Sequence, residues 1–455
     1  MLSKNKISYY IFGILIAIFI IIVSKGLTAP QPGDENVYYY MGKLVSEGKV
    51  PYRDFFLAHP PLHIYLIALI YKIFGFNIVI LKLIPLISTL VSTIFIFCIA
   101  KNKCGDYEAI ISSLLFLFSY SVMFNSVFSF GIEIAVMFLL IGVYFLWTKN
   151  NYILAGIFFG LAAITRLLTL IPILIILIMA LSSYKRNFLK SLSAFLIVFL
   201  LFNGLFIFLF GNNYIIPVYN FHLLKSFGAE ENLKEYIDII KLNWILFSSA
   251  LLIVFVKEKK QVSAFAVISI VYLIFLASLK KIFGFYFIAT FPFLAIIGGY
   301  SIVNFPTKFF YRKILLVLFL SIFIWNLSSD TLFLEKIGFK GFERGKDLTD
   351  FIASNSNKNT LLFGDDSVVP LLALLMDRKI AFDFVDTNNE IFISGIKNLK
   401  EVLSSLKGKD VLFIIRSKQG ISYFSEVKEF LNKNCDFLSR FHDKIEGSYL
   451  IYKCK

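Results

Sequence analysis

Apolar runs long enough to cross a membrane recur along the first 330 residues of the chain. A helix that spans the hydrocarbon core needs about 20 apolar residues, within a range of about 17 to 25. The stretch from Tyr152 to Tyr184 is about twice that length and is interrupted at Thr165-Arg166, so we interpret it as a hairpin of two short helices. With the other runs, the pattern predicts about eleven membrane-crossing helices. The remaining runs lie near residues 7–28, 78–100, 109–126, 131–148, 190–210, 240–256, 262–279, 283–303 and 313–329.

The composition supports a membrane protein and excludes nucleic acid as a partner. Of the 455 residues, 58% are hydrophobic and 16% are charged, whereas soluble domains are about 25% charged. The net charge of +15 would suggest nucleic-acid binding in a soluble protein. Here, however, Lys and Arg cluster in short loops between the apolar runs, which is the pattern of a multi-pass membrane protein.

The basic loops also predict the orientation. With eleven spans, all the basic clusters fall on one side, and by the positive-inside rule that side is the cytoplasm. Counting the Tyr152–Tyr184 hairpin as one span would place the later clusters outside. We therefore expect a cytoplasmic N-terminus, with the first helix retained as an anchor, and a C-terminal tail outside. The clusters are Lys4/Lys6, Lys101/Lys103, Lys149, Lys185/Arg186/Lys190, Lys257/Lys259/Lys260 and Lys308/Arg312/Lys313.

Three segments then remain on the outer face: residues 29–77, 211–239 and 330–455. Within the first, the apolar run Leu62–Phe74 is too short to span and is expected along the membrane surface. We predict two domains, a transmembrane domain over 1–330 and a soluble extracytoplasmic domain over 331–455.

The tail has the pattern of a small α/β domain. Strand-like runs "TLLFG", "VLFII" and "SYLIY" alternate with helical stretches around Val369–Met376 and Phe424–Leu431. The fold class predicted for the chain is therefore mainly α, a polytopic transmembrane bundle with a small C-terminal α/β domain.

Two of the four cysteines lie in this tail. A hairpin centred near Lys444-Ile445 would bring Cys435 and Cys454 opposite each other, and a disulfide would suit an oxidising compartment. Two unpaired thiols are the alternative. Cys98 and Cys104 are expected to be inert.

The pair Asp34-Glu35 is the first candidate for chemistry. It follows Pro-Gly directly after the first helix, where a fixed carboxylate could serve as a general base or bind a metal. Carboxylates at this position are also good helix-capping groups, so a purely structural role is the alternative.

Basic residues on the predicted outer side form the second candidate set. A cation near a buried helix end is costly unless paired, and several cations converging from separate segments suit an anionic lipid headgroup. Snorkelling of long side chains to the headgroup layer is the alternative. Glu133 could complete an acidic site, pair with Arg166 or simply favour a helix N-terminus. The basic residues are Arg53, His59, Arg166, His222, Lys225, Lys280 and Lys281.

The order of these features resembles the GT-C glycosyltransferases, especially the protein O-mannosyltransferase and lipid A aminoarabinose transferase group. The matching features are the acidic pair after helix one and "HPPLHIYLIALIYKIFG", "AGIFFGLAAITRLLTLIPILI" and "KKIFGFYFIATFPFLAIIGG". The resemblance covers about residues 1–330. The chain departs from the family where Glu133 replaces an Asp and where His59 replaces a Lys before the double Pro.

The resemblance implies sugar transfer, with inversion, from a polyprenyl-phosphate donor to a glycan, lipid or protein acceptor on the outer face. Asp34 would be the general base and Glu35 would orient the site or bind the acceptor. Arg166 with Lys280 or Lys281 would hold the donor phosphate, and Arg53 and His59 are further phosphate candidates. Glu133 and His222 would support the acceptor.

Cofactors and rival functions follow from motifs and topology. No cofactor is required by this reaction, although a divalent metal is possible. No P-loop, dinucleotide fingerprint, His/Cys metal spacing or serine elbow is present in the sequence. A transporter or lipid flippase is the first alternative, but transporters usually show internal repeats, and none is found. A polysaccharide polymerase or ligase that uses lipid-linked donors is the second.

Overall fold

The structure is a computed structural model that describes residues 4–183, 185–226, 228–307, 309–417, 419–443 and 447–454. Tyr184, Lys308 and the predicted turn at Lys444-Ile445 lie outside these ranges. The helices are α1 Lys4–Leu27, α2 Asp34–Ser46, α3 Leu62–Phe74, α4 Ile78–Lys103, α5 Asp106–Leu117, α6 Tyr120–Asn125, α7 Ile132–Trp147, α8 Tyr152–Ala163, α9 Leu170–Ser183, α10 Lys185–Phe210, α11 Asn212–Ile215, α12 Phe221–Leu224, α13 Ala229–Leu242, α14 Trp244–Leu251, α15 Ser263–Ala277, α16 Phe291–Val303, α17 Phe309–Phe333, α18 Gly345–Asn355, α19 Val369–Leu375, α20 Asn389–Ile393, α21 Leu399–Ser405 and α22 Ser425–Asn434. The strands are β1 Leu361–Gly364, β2 Val411–Arg416, β3 Cys435–Asp443 and β4 Gly447–Cys454.

The chain forms two compact units. The helical unit contains Met1–Leu27, Lys82–Leu205 and Gly228–Gly338. The mixed unit contains Thr28–Leu81, Phe206–Phe227 and Phe339–Lys455. The mixed unit thus combines the C-terminal tail with most of the first predicted outer loop and part of the second. The predicted domains, in contrast, were two consecutive stretches of chain divided at residue 330.

Each of the eleven predicted membrane segments contains helix, but the helices differ in length. In the described ranges, four are long and apolar enough to cross a bilayer: Lys6–Leu27, Ile78–Lys103, Phe188–Phe210 and Ile314–Gly338. A fifth span results if the pair Ala229–Leu242 and Trp244–Phe255, bent by 82°, is counted as one. The other segments contain shorter helices, and a turn interrupts some of them, as at Ser119 between α5 and α6.

The long helices expose apolar side chains that only a bilayer would cover. Ile21 of α1, Phe208 of α10 and Trp325 of α17 are 71%, 86% and 70% exposed. Large continuous apolar surfaces of this kind are rare on soluble proteins. The mainly α, membrane-spanning architecture expected from the sequence is therefore confirmed.

Inside the helical unit, glycine lets α5 and α16 pack closely. A Cβ atom at Gly299 would lie 2.7 Å from the backbone oxygen of Glu108 and 2.3 Å from the hydroxyl of Ser112. Small residues at such contacts are a common means of helix association in membranes. Glu108 also accepts a hydrogen bond of 3.1 Å from the Asn304 amide just beyond the end of α16.

In the mixed unit, the predicted strands form one four-stranded sheet with the order β1-β2-β4-β3. β1 and β2 are parallel, and β4 runs antiparallel to both β2 and β3. The apolar faces of α21 and α22 pack on the sheet around Phe413, Leu403 and Val427, all of which are buried. The α/β interpretation of the tail is consistent with this sheet.

The hairpin of β3 and β4 carries a disulfide. Cys435 and Cys454 are register partners at the open end of the hairpin, and their sulfur atoms are bonded. The structure thus selects the disulfide over the alternative of two unpaired thiols. Cys98 and Cys104 are not disulfide-bonded.

We predict that Cys454→Ser lowers the stability of the C-terminal sheet by about 3 kcal/mol, because the bond closes a loop of roughly 20 residues in the unfolded chain. Hydrogen exchange of the β3 and β4 amides, with and without reductant, measures this change. Reductant should leave the exchange of Cys454→Ser unchanged, and Cys104→Ser serves as the control. Equal exchange in wild type and Cys454→Ser would contradict the prediction.

Candidate functional site

The acidic pair lies at the start of α2, and its two side chains face different surroundings. Asp34 is the first residue of the helix and is exposed. Glu35 is 1% exposed, and its carboxylate accepts a hydrogen bond of 3.4 Å from the Tyr39 hydroxyl. Of the pair, Asp34 is therefore the solvent-accessible carboxylate, and the side chain of Glu35 is buried.

The loop after β1 lies beside Asp34. The backbone N–H of Gly33 donates a 3.0 Å hydrogen bond to the carbonyl of Ser367. Burial, together with the neighbouring charges of Asp365 and Asp34, raises the pKa of Asp366 well above its ordinary value. Two segments far apart in sequence thus place their carboxylates in one acidic patch.

Asp386 belongs to the same patch. Burial, with the charge of Asp34 as a smaller contribution, raises its pKa to about 6. The backbone N–H of Asn388 and the charge of Lys225 act in the opposite direction. The sequence analysis did not identify Asp366 or Asp386. The available signal was that Asp366 follows a predicted strand and that Asp386 follows the helix predicted after that strand.

Asp365, which precedes Asp366 in the loop after β1, has a different role. Arg416, the last residue of β2, donates a 2.9 Å hydrogen bond to the carboxylate of Asp365 and a 3.0 Å bond to the hydroxyl of Ser367. Asp365 also accepts a 3.0 Å bond from the Ser367 N–H. These hydrogen bonds fix the conformation of the loop. They therefore also fix the position of the Ser367 carbonyl, which accepts the hydrogen bond from the Gly33 N–H.

Further along α2, two side chains attach the helix to the chain after α19. The buried Tyr40 hydroxyl accepts a 2.9 Å hydrogen bond from the N–H of Ile380 and donates to the carbonyl of Arg378. Lys43 forms an ion pair with Asp377 and lowers the pKa of that carboxyl. The orientation of α2, and with it that of Asp34, is therefore set by residues of the tail.

Three of the four histidines gather near α2. His59 and His222 stack with ring centroids 5.1 Å apart, and Nε2 of His222 lies 2.8 Å from the carbonyl oxygen of Ala58. Tyr38, one turn after Asp34, has ring contacts with both His59 and His63. The structure thus brings together His59 and His222, which the sequence analysis had placed in separate loops.

The remaining candidate cations of the mixed unit are occupied by local partners. Arg53 is exposed and forms two hydrogen bonds to its neighbour Asp54, at 3.0 and 2.9 Å. Its guanidinium lowers the pKa of Asp54 to about 2. Lys225 is 9% exposed and lies 5.1 Å from the ring centroid of Phe221.

In the helical unit, Arg166 and Glu133 are both buried, at 3% and 4% exposure, and their charges interact. Lys280 is exposed and Lys281 is half-buried. Asn232, which the sequence analysis missed, fixes their turn by donating to the carbonyl of Lys280 at 3.0 Å and accepting from the N–H of Ile282 at 2.9 Å.

Lys82 is a further buried cation that the sequence analysis overlooked. Its side chain is fully buried in α4, donates a 3.1 Å hydrogen bond to the carbonyl of Gly26 and lies 4.5 Å from the ring centroid of Phe128. The available signal was one lysine inside an otherwise apolar run. Among the described residues, no group of three or more His, Cys, Asp and Glu side chains is arranged to hold a metal ion.

Comparison with solved structures identifies the fold. ArnT from Cupriavidus metallidurans, solved with undecaprenyl phosphate, is 12% identical with a TM-score of 0.64, and the match covers 99% of this chain and 98% of ArnT. The Archaeoglobus fulgidus oligosaccharyltransferase is 11% identical with a TM-score of 0.55, over 99% of this chain and 74% of that enzyme. The chain is thus a multi-pass membrane protein with the fold of the GT-C glycosyltransferases, as the sequence resemblance indicated.

Within that class, residues 58–209 match the sequence profile of the dolichyl-phosphate-mannose-protein mannosyltransferase family. The mycobacterial arabinofuranosyltransferase AftD is 12% identical with a TM-score of 0.57, and this chain spans 40% of its length.

One match lies outside this class. The tryptophan–tRNA ligase of Buchnera aphidicola subsp. Schizaphis graminum is 30% identical over 105 residues. The match spans 22% of this chain and 29% of the ligase, so it covers a minor part of both proteins.

We predict that Asp386→Asn changes the pH dependence of stability. With a folded pKa near 6 and an unfolded pKa of about 3.9, the folded protein binds the extra proton between these values. This contribution to stability is present at low pH and is lost as pH rises through about 6. The melting temperature of Asp386→Asn relative to wild type should therefore increase between pH 4 and pH 7.

The control is Asp436→Asn, which removes the same charge at an exposed position on β3. Its melting temperature should track that of wild type across the same pH range. A constant difference between Asp386→Asn and wild type at all pH values would contradict the prediction.

Proposed function

We propose that the protein transfers a sugar from a polyprenyl-phosphate donor to a hydroxyl group of an acceptor, with inversion at the anomeric carbon. The observation that supports this most is the exposed carboxylate of Asp34 at the start of α2, in a chain with the GT-C fold. The relatives supply the donor class, because ArnT was solved with undecaprenyl phosphate and the family profile is that of dolichyl-phosphate-mannose transferases.

In the proposed reaction, Asp34 accepts the proton of the acceptor hydroxyl as its oxygen attacks the anomeric carbon. The bond between that carbon and the phosphate oxygen breaks in the same displacement, so the configuration inverts. A general base of this kind typically contributes 10²–10⁴-fold to the rate. Asp34 suits this role better than Glu35, because Glu35 is buried and already accepts the hydroxyl of Tyr39.

The leaving phosphate gains negative charge, and fixed cations would stabilise it. In the helical unit we assign this role to Arg166 with Lys280 or Lys281. In the mixed unit, His59 beside His222 is a further donor for the phosphate, whereas Arg53 is a weaker candidate because Asp54 already binds its guanidinium. Glu133 would orient Arg166, with which its charge interacts.

We assign acceptor binding to groups around Asp34. Glu35 would orient the site, and Tyr38 and His222, which both contact the ring of His59, lie in the same region of the mixed unit. A carboxylate, imidazole rings and a phenol are groups that bind hydroxyls of a glycan, a lipid or a protein side chain. The reaction needs no cofactor in this scheme, and no step is assigned to a metal.

We predict that Asp34→Asn reduces sugar transfer by about 10²–10⁴-fold, because the amide cannot accept the acceptor proton. The assay measures radiolabel moving from polyprenyl-phosphate sugars to a membrane acceptor fraction, with protein purified in detergent. Asp34→Glu should recover part of the activity.

Asp436→Asn is the matched control for charge and for folding, since it lies on the same unit and is exposed. Glu35→Gln should cost less than Asp34→Asn. Transfer that persists in Asp34→Asn would reject Asp34 as the base. Absence of transfer by wild-type protein from every donor would favour a carrier of lipid-linked sugars instead.

A further inference from the structure

The first half of the long helix α17 stands apart from the rest of the helical unit. Four consecutive residues, Leu315–Leu318, cover the whole circumference of the helix, and each is between 41% and 62% exposed. The second half is packed: Phe323 is 6% exposed, and its ring centroid lies 6.1 Å from that of Phe118. Trp244 also donates a 2.7 Å hydrogen bond to Asn326 there. The helix is therefore fastened by its second half and diverges from its neighbours in its first half.

A groove of about 910 Å³ lies where α17 diverges, between this helix and the pair α5 and α16. Its volume is at the upper end of the range for ligand sites, which is about 300–1,000 Å³. The walls of this α17 groove are apolar, so hydrocarbon chains are the ligand groups that suit them. The α17 wall includes Leu316, Leu318 and Ile322, and the opposite wall includes Ile111 of α5 and Ile302 of α16.

The polar residues of the α17 groove come from the ends of the neighbouring helices. Glu108, in the first turn of α5, is 8% exposed, and its carboxylate accepts a 3.1 Å hydrogen bond from the amide of Asn304, just after α16. Thr307 also lines the groove, and its buried hydroxyl has no hydrogen-bond partner among the described residues. Of the lining residues that the structure describes, Glu108 is the one that carries a charge. This arrangement favours a ligand whose polar end is cationic and donates hydrogen bonds.

The α17 groove is separate from the cations to which we assign the donor phosphate. Asn304 directly follows the last residue of α16, whereas Lys280 and Lys281 come before the first residue of that helix. The two ends of α16, which has 13 residues, are about 20 Å apart. The groove and the two lysines are thus associated with opposite ends of one helix.

We propose that the α17 groove binds a phospholipid with a primary-amine headgroup, with the ammonium group at Glu108 and the acyl chains between α17 and the pair α5 and α16. The ammonium group supplies a positive charge for the buried carboxylate and N–H donors for both Glu108 and Thr307. An anionic headgroup would bring a second negative charge close to the carboxylate, which is unfavourable. Such a lipid is neither the donor nor the acceptor of the proposed reaction, so the site is additional to the transferase site.

The first test compares phosphatidylethanolamine with phosphatidylglycerol of identical acyl chains, by native mass spectrometry on the full-length protein. Wild type should bind the amine lipid about 10-fold more tightly, the equivalent of one hydrogen bond to a charged group. Glu108→Gln should remove this preference, because it deletes the charge while its amide oxygen can still accept from Asn304. Glu258→Gln removes the same charge at an exposed position of the helical unit and should behave as wild type. Equal affinity of wild type for the two lipids, or a preference that survives in Glu108→Gln, would overturn the proposal.

The second test locates the acyl chains. Leu316→Trp puts a larger side chain into the α17 groove, so it should weaken binding of the amine lipid by about 10-fold. Leu320→Trp makes the same change on the same helix at a residue outside the groove lining, and its binding should match wild type. Equal effects of the two substitutions would place the chains elsewhere and overturn the assignment of the groove.

Sugar transfer, measured on the same variants, separates this site from the proposed function. Amine-lipid binding that depends on Glu108, without any sugar transfer, would leave the α17 groove standing and reject the proposed function. Transfer that depends on Asp34, in a protein with no headgroup preference, would do the reverse.

Discussion

The hydrogen bond from Gly33 to Ser367 joins the start of α2 to the loop after β1, and the geometry around Asp34 depends on it. That loop is itself fixed, because Arg416 binds both Asp365 and Ser367. The Tyr40 hydroxyl, about two turns further along α2, makes a second hydrogen bond to the tail, from the N–H of Ile380. The tail therefore does more than follow the membrane helices: it sets the position of the carboxylate to which we assign the chemistry.

The cations of the helical unit show a second constraint. A charged side chain in a membrane domain is costly, and such residues usually face a functional site or a partner. Lys82 is stabilised by a backbone carbonyl and an aromatic face, and the charge of Arg166 interacts with Glu133. Lys280 differs from Lys82 and Arg166, because its side chain is exposed and its charge does not have to be stabilised in a buried position. Lys280 is therefore the most accessible cation of this set.

Much of the fold could be predicted because it follows from local pattern. Apolar runs located helix in each of the eleven predicted membrane segments, and the short run Leu62–Phe74 matches α3 at both ends. Strand and helix patterns located β1, β2, β4, α19 and α22. Helix lengths were less predictable, because breaks such as Ser119 depend on packing between helices and leave little trace in hydropathy.

The candidate site was only partly predictable, since its parts come together through long-range contacts. Asp34 could be singled out by its position after the first helix. Asp366 and Asp386 could not, because their approach to Asp34 depends on where the tail folds back.

The most direct test of the central claim, a single displacement assisted by Asp34, is the anomeric configuration of the product. A donor of known configuration is incubated with wild-type protein and the glycosidic linkage formed is assigned by NMR. The account predicts inversion. Retention would require a covalent glycosyl intermediate or another mechanism, and it would contradict the assignment of Asp34 as a general base for the acceptor.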